Sequence, residues 1–115
     1  MSKMNWDYVA GFYEGEGTCG AYFCKYKNKN EEKTRFYYRL QVGITQNEKF
    51  ILNEIKNFVG FGKIYKHGNG FQYNFTNNNA RKFLCKILSY CHSKYKMKQI
   101  KKALLIDKNN INRGK

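Results

Sequence analysis

The stretch YVAGFYEGEG, residues 8 to 17, decides how the chain is read. It puts two glutamates and three glycines into ten residues of a chain that carries 22 Lys and Arg against 8 Asp and Glu. Upstream, Asn5 is placed to cap a helix and Asp7 falls in its positive first turn, while Trp6, Val9, Ala10, Phe12 and Tyr13 recur at helical spacing. The run therefore predicts a helix over residues 5–15 that ends where the acids are. Carboxylates there face the negative end of the helix dipole, a penalty of roughly 0.3–1 kcal/mol each when exposed. Either nearby lysines or a divalent cation must offset it. Glu14 and Glu16 point about 200° apart on a continuing helix, so one ion cannot take both. Gly11 and Gly15, four apart, make a flat strip on which another helix can pack closely.

Outward from this stretch, the elements alternate. TCGAYFCKYK (18–27) and TRFYYRLQVGIT (34–45) read as a long hairpin across the polar run NKNEEK. Leu40, Val42 and Ile44 alternate there with Arg39, Gln41 and Gly43. QNEKFILNEIKNFVG predicts a second helix with a stripe of Phe50, Ile51, Ile55, Phe58 and Val59, stopped by Gly60. FGKIYKH and FQYNFT, split by GNG, predict a second hairpin with Ile64, Phe71, Tyr73 and Phe75 on its apolar side. NNNARKFLCKILSYC, opened by an Asn cap, and KYKMKQIKKALLIDK finish the chain as two helices. The order is α-β-β-α-β-β-α-α in one domain, residues 1–115, of the α+β class.

The strands leave a second, polar side: Tyr22, Cys24, Tyr26, Arg35, Tyr37, Arg39, Gln41, Lys63, Tyr65, His67, Gln72, Asn74 and Thr76. A solvated sheet face is ordinary. This one has no carboxylate, and its donors and acceptors match base edges, interleaved with aromatic area. The net charge of +14 makes a polyanion the expected partner, with double-stranded DNA ahead of a membrane surface. No apolar window reaches the length of a membrane span and no signal peptide is evident, so a soluble, intracellular protein is expected. Nothing in the pattern calls for a small-molecule substrate. Cys19, Cys24, Cys85 and Cys91 match neither a CxxC pair nor zinc knuckles; Cys91 beside His92 is a weak metal hint, and the four are expected to be ordinary thiols. The excess of Asn, Lys, Tyr, Phe and Ile without proline fits an AT-rich genome, whether organellar, microbial or phage.

VAGFYEGEG is similar to the motif of the LAGLIDADG homing endonucleases, whose acidic positions accept Asp or Glu and whose small positions accept Gly or Ala. The resemblance runs along nearly the whole chain, through ITQNEK, GFGKI and YKMKQ. It implies an α-β-β-α-β-β-α core whose antiparallel sheet forms a DNA-binding saddle, and a single-motif chain that pairs as a homodimer through Gly11 and Gly15 of the motif helices. It implies that Glu16 binds catalytic Mg²⁺, with the Gly15 carbonyl as a further ligand, and that Glu14 is structural. Gln46 and Lys98 then belong to the catalytic site; a third, basic helper would be Lys49, since the ungapped match falls on Phe50. The implied activity is a staggered double-strand break with 5′-phosphate and 3′-hydroxyl ends, made in a long near-palindromic target by a protein of intron or other mobile-element origin. The alternative is a non-cleaving RNA-splicing maturase or DNA-binding regulator of the same fold.

Overall fold

A computed structural model describes residues 4–27 and 34–113. The chain runs α1 (Trp6–Glu16), β1 (Gly17–Lys27), β2 (Thr34–Gln46), α2 (Lys49–Val59), β3 (Lys63–His67), β4 (Gly70–Thr76), α3 (Asn77–Leu88) and α4 (Lys94–Arg113). This is the order expected from the sequence. Residues 28–33, where the NKNEEK connection was expected, lie outside the described residues.

Local chemistry fixes the element ends. Asn5 is extended, and its side-chain oxygen accepts from the Tyr8 N–H at 2.8 Å, which opens α1. At the other end the chain turns directly from helix into strand at Gly17, where a Cβ would lie 2.2 Å from the Tyr13 ring. Only glycine allows that approach. Gly60 closes α2 in the left-handed region, φ 96°, and donates to the Lys56 carbonyl at 2.8 Å. The expected Asn cap of α3 is corrected: Thr76 stands at the N-cap without a side-chain bond, and Asn77 turns the chain with φ 53°. Asn tolerates that backbone better than other non-glycine residues.

The four strands form one antiparallel sheet in the order β1-β2-β4-β3. Register sorts the side chains, because directly paired residues share a face. Leu40, Val42, Ile44, Tyr73 and Phe75 turn toward the helices and are buried. Against them pack Val9, Ala10 and Tyr13 of α1, Phe83, Leu84 and Ile87 of α3, and Ile100 and Ala103 of α4. Phe83 is the hinge of this core, with ring centroids 4.8 Å from Phe75 and 6.0 Å from Tyr13. The stripe expected on α2 is corrected at both phenylalanines: Phe58 is 37% exposed, its ring edge-on to Trp6 with centroids 5.1 Å apart, while Ile51 and Val59 pack on the core. Phe50 is 69% exposed, whereas Leu52 and Ile55 are fully buried. At about 100° per residue Phe50 stands roughly 140° from Ile55, while Leu52 stands about 60° from it.

Two polar devices hold α4. The Arg81 guanidinium donates to both oxygens of Asp107, Nε to Oδ2 at 2.6 Å and Nη2 to Oδ1 at 3.0 Å, tying α3 to α4. The Glu14 carboxylate accepts from the His92 N–H at 3.0 Å and from the Ser93 N–H, and the Ser93 Oγ accepts from the Lys96 N–H at 3.3 Å. An anion at a helix start is electrostatically favourable.

Candidate active site and nucleic-acid face

α1 delivers Glu16 as its last residue, at the point where β1 begins. Because Gly17 pairs with Ile44, Glu16 lies level with Thr45 and Gln46 at the end of β2. Gln46 in turn pairs with Phe71, and Gly70 pairs with His67. A Cβ on Gly70 would lie 2.8 Å from the Gln46 carbonyl oxygen, so the strands close tightly there and leave room on the outer side. The result is a cleft of about 370 Å³ lined by Glu16, Thr45, Gln46, Asn47, His67, Asn69, Gly70 and Phe71.

Glu16 is exposed and reaches this cleft, while Glu14 is spent on the start of α4. The two glutamates thus part as the helical angle requires. Gln46 accepts the Asn47 N–H on its Oε1 at 2.7 Å, which leaves its amide N–H groups to donate elsewhere. Lys98 is not brought to the cleft. It stands on the exposed side of α4, and Lys96 instead extends its ammonium to the Gly17 carbonyl at 2.6 Å and over the Tyr13 ring at 5.7 Å. Two helical positions are about 200° apart, so only one of these lysines can face α1. Lys49 stands at the cleft edge, its ammonium 5.8 Å from the centre of the Phe71 ring.

Beneath the site the groups are dry. Burial pushes the Tyr13 hydroxyl far up; it lies beside the Cys19 thiol without completing a hydrogen bond of normal geometry. Burial also raises Cys19. Cys91 is pushed up to about 11, first by burial, then by the negative charge of Glu14 and by Cys19. No group of three or more His, Cys, Asp or Glu is placed to hold a metal ion among the described residues. Glu16 and the Gly15 carbonyl offer hard oxygen donors of the kind Mg²⁺ takes, and a single carboxylate suits an ion that completes its shell with phosphate and water.

The strand register gathers the polar residues expected on one side. Tyr22 pairs with Arg39, Cys24 with Tyr37, Gln41 with Thr76, Asn74 with Lys63 and Gln72 with Tyr65, and Tyr26 pairs with Arg35 in the same alternation. The side chains of Tyr26 and Arg35 lie outside the described residues. Among the described side chains this face has no carboxylate, since Asp7, Glu14, Glu16, Glu48, Glu54 and Asp107 all sit on or beside helices. Asn74 is nearly buried, its amide donating to Gln72 Oε1 at 3.3 Å, and is better suited to orienting Gln72 than to reaching outward. The sequence reading missed Thr18 and Thr45, which share this face by the same period of two, and it missed Lys96, Asn47 and Asn69. Strand alternation would have found the threonines. No local pattern marks the other three.

No helix among the described residues is long and apolar enough to cross a membrane. No curated protein matches the chain. Among solved structures, the chain is similar to the homing endonuclease I-CvuI in complex with its target in the presence of Ca, with TM-score 0.77 and 23% identity over 95% of this chain and 69% of that one. It is also similar to the archaeal intron-encoded homing endonuclease I-Vdi141I complexed with DNA, with TM-score 0.69 and 23% identity over 93% and 69% of the two chains. For the homing endonuclease I-GzeII in complex with its DNA target the TM-score is 0.63 at 25% identity, over 96% of this chain and 38% of that one. The family model for LAGLIDADG endonucleases matches residues 9–111, a span that contains Glu16, Gln46 and the three candidate lysines, Lys49, Lys96 and Lys98. With the motif glutamate at the junction of α1 and β1, beside the end of β2 and under a carboxylate-free sheet, the chain belongs to the LAGLIDADG endonuclease family.

Proposed function

We propose that the chain is a homodimeric, site-specific homing endonuclease that hydrolyses one phosphodiester bond in each strand of a long near-palindromic DNA target, leaving staggered ends. The observation that carries the reading is the meeting of Glu16 and Gln46 in one cleft at the edge of a sheet face without carboxylates. That face suits a major groove, with Arg39, Lys63 and Tyr65 exposed on it. Pairing is supported by the outward side of α1. Tyr8, Gly11, Phe12 and Gly15 fall at helical spacing, Tyr8 is 45% exposed, and a Cβ at either glycine would meet nothing within 4 Å. A second copy packed on this strip by two-fold symmetry brings both Glu16 residues to the axis.

Glu16 and the Gly15 carbonyl would hold Mg²⁺, which when bound supplies Lewis-acid polarisation of the scissile phosphate. Gln46, its oxygen engaged by Asn47, turns amide N–H groups toward the attacking water or a phosphate oxygen. A lysine of α4 supports the charge that develops on the phosphate. Motif matching nominates Lys98; the contact with the Gly17 carbonyl favours Lys96.

The test is incubation of the purified protein with a random duplex library and Mg²⁺, followed by recovery of cut sites. The expected result is one family of near-palindromic sites with staggered ends. Binding without cleavage would instead favour the maturase or regulator. Sedimentation of the protein on a recovered target should give two chains per duplex; one chain per duplex overturns the pairing.

A further inference from the structure

We infer that the outer side of the helical layer is a second nucleic-acid surface, which holds a non-target DNA duplex by its phosphates while the sheet face is occupied. The inference rests on the function proposed above only for what occupies the sheet face. α3 and α4 bury Phe83, Leu84, Ile87, Ile100 and Ala103 toward the sheet, so their exposed residues point the opposite way. Those exposed residues include Lys82 and Lys86 on α3 and Lys101, Lys102 and Lys108 on α4. The two-pronged Arg81 to Asp107 contact binds the helices together, so lysines from both stand on the same helical layer. Asp107 is the sole acid in either helix; it is buried and neutralised by Arg81. None of the five lysines forms an ion pair among the described residues, and only Lys86 has a described partner, the Trp6 ring at 5.7 Å. By contrast α2 mixes Lys49 and Lys56 with Glu54, as a merely solvated helix does.

The chemistry of the surface selects its partner. A bilayer needs a broad apolar helix face, and that side of α4 is already turned into the core, leaving Leu105 as the exposed apolar residue of this stretch. An unpaired strand is gripped by stacking successive bases on a run of aromatic rings, and the outer side of α4 offers a single exposed ring, Tyr95 at its start, with none among the lysines that follow. What remains is attraction for a phosphate backbone whose bases are already stacked, which describes a duplex. Two opposed DNA surfaces on one protein would let it pass between DNA segments without first dissociating.

The test uses the full chain tethered to beads and saturated with unlabelled target duplex, then exposed to a labelled duplex of unrelated sequence. The expected result is retention of the labelled duplex at about 50 mM salt and its release by about 200 mM. The variant Lys101→Gln, Lys102→Gln, Lys108→Gln should lose retention at least about tenfold with target binding unchanged, while the same three positions as Arg should keep it. Exclusion of the labelled duplex by saturating target overturns the inference, as does undiminished retention by the Gln variant or a preference for single-stranded RNA. If no target is bound yet the labelled duplex is still lost in the Gln variant alone, the proposed function falls and this surface stands.

Discussion

Glu14 and Glu16 differ by two positions and by nothing in chemistry, yet they sit in opposite circumstances. Glu14 accepts backbone N–H groups from His92 and Ser93, 78 and 79 residues away, and so docks α4 on α1. Glu16 has no such contact among the described residues and lies in the cleft with Gln46 and His67. One carboxylate is committed to the fold and the other stays exposed in the cleft. The helix geometry enforces the split, because side chains two apart leave a helix on nearly opposite sides. A motif with two acids can therefore serve stability and chemistry without either compromising the other.

The comparison is broken most directly by exchanging amide for acid at each position. Glu16→Gln should lower cleavage of a recovered target by about a thousandfold, with binding in Ca²⁺ and the thermal midpoint unchanged. A melting point that falls as far as that of a Glu14 variant would show that Glu16 is structural too. The next effect is on the lysines. If position decides, Lys96→Ala should slow cutting by roughly 10- to 100-fold and Lys98→Ala by less than about threefold; the reverse order would restore the motif assignment.

Glu14→Ala should remove about 2 kcal/mol of stability, the value of a charge-assisted hydrogen bond at a helix start, and lower the midpoint by roughly 10 °C in a calorimetric scan. The smallest effect sharpens the same contrast through a neighbour. Cys91 is held at about 11 by burial and by the Glu14 charge, so at pH 8 a thiol reagent should modify exposed Cys85 well before Cys91. The raised value also means that stability present below the unfolded thiol pKa of about 8.5 is lost as pH rises toward 11. In Glu14→Gln the Cys91 thiol should titrate lower, which pH-dependent alkylation rates would register. An unchanged profile would show that burial alone sets it.

Much of this was legible in the sequence because it is decided locally. Asn5 and Gly60 end helices through bonds to their own neighbours, and the period of two in Leu40, Val42 and Ile44 places a strand whatever lies opposite it. The motif glutamates and the unusual charge balance nominate Glu16 from local pattern alone. The tertiary structure decided what depends on distant partners. It chose Lys96 over Lys98 at the end of α1, buried Leu52 in place of Phe50, and brought His67 and Asn69 to the same cleft as Glu16. Periodicity says which side of an element is apolar, but the rotation of α4 about its axis is set by the Glu14 and Asp107 contacts, made across long stretches of chain. Spacing along a chain fixes direction within one element; only packing between elements fixes which atoms meet.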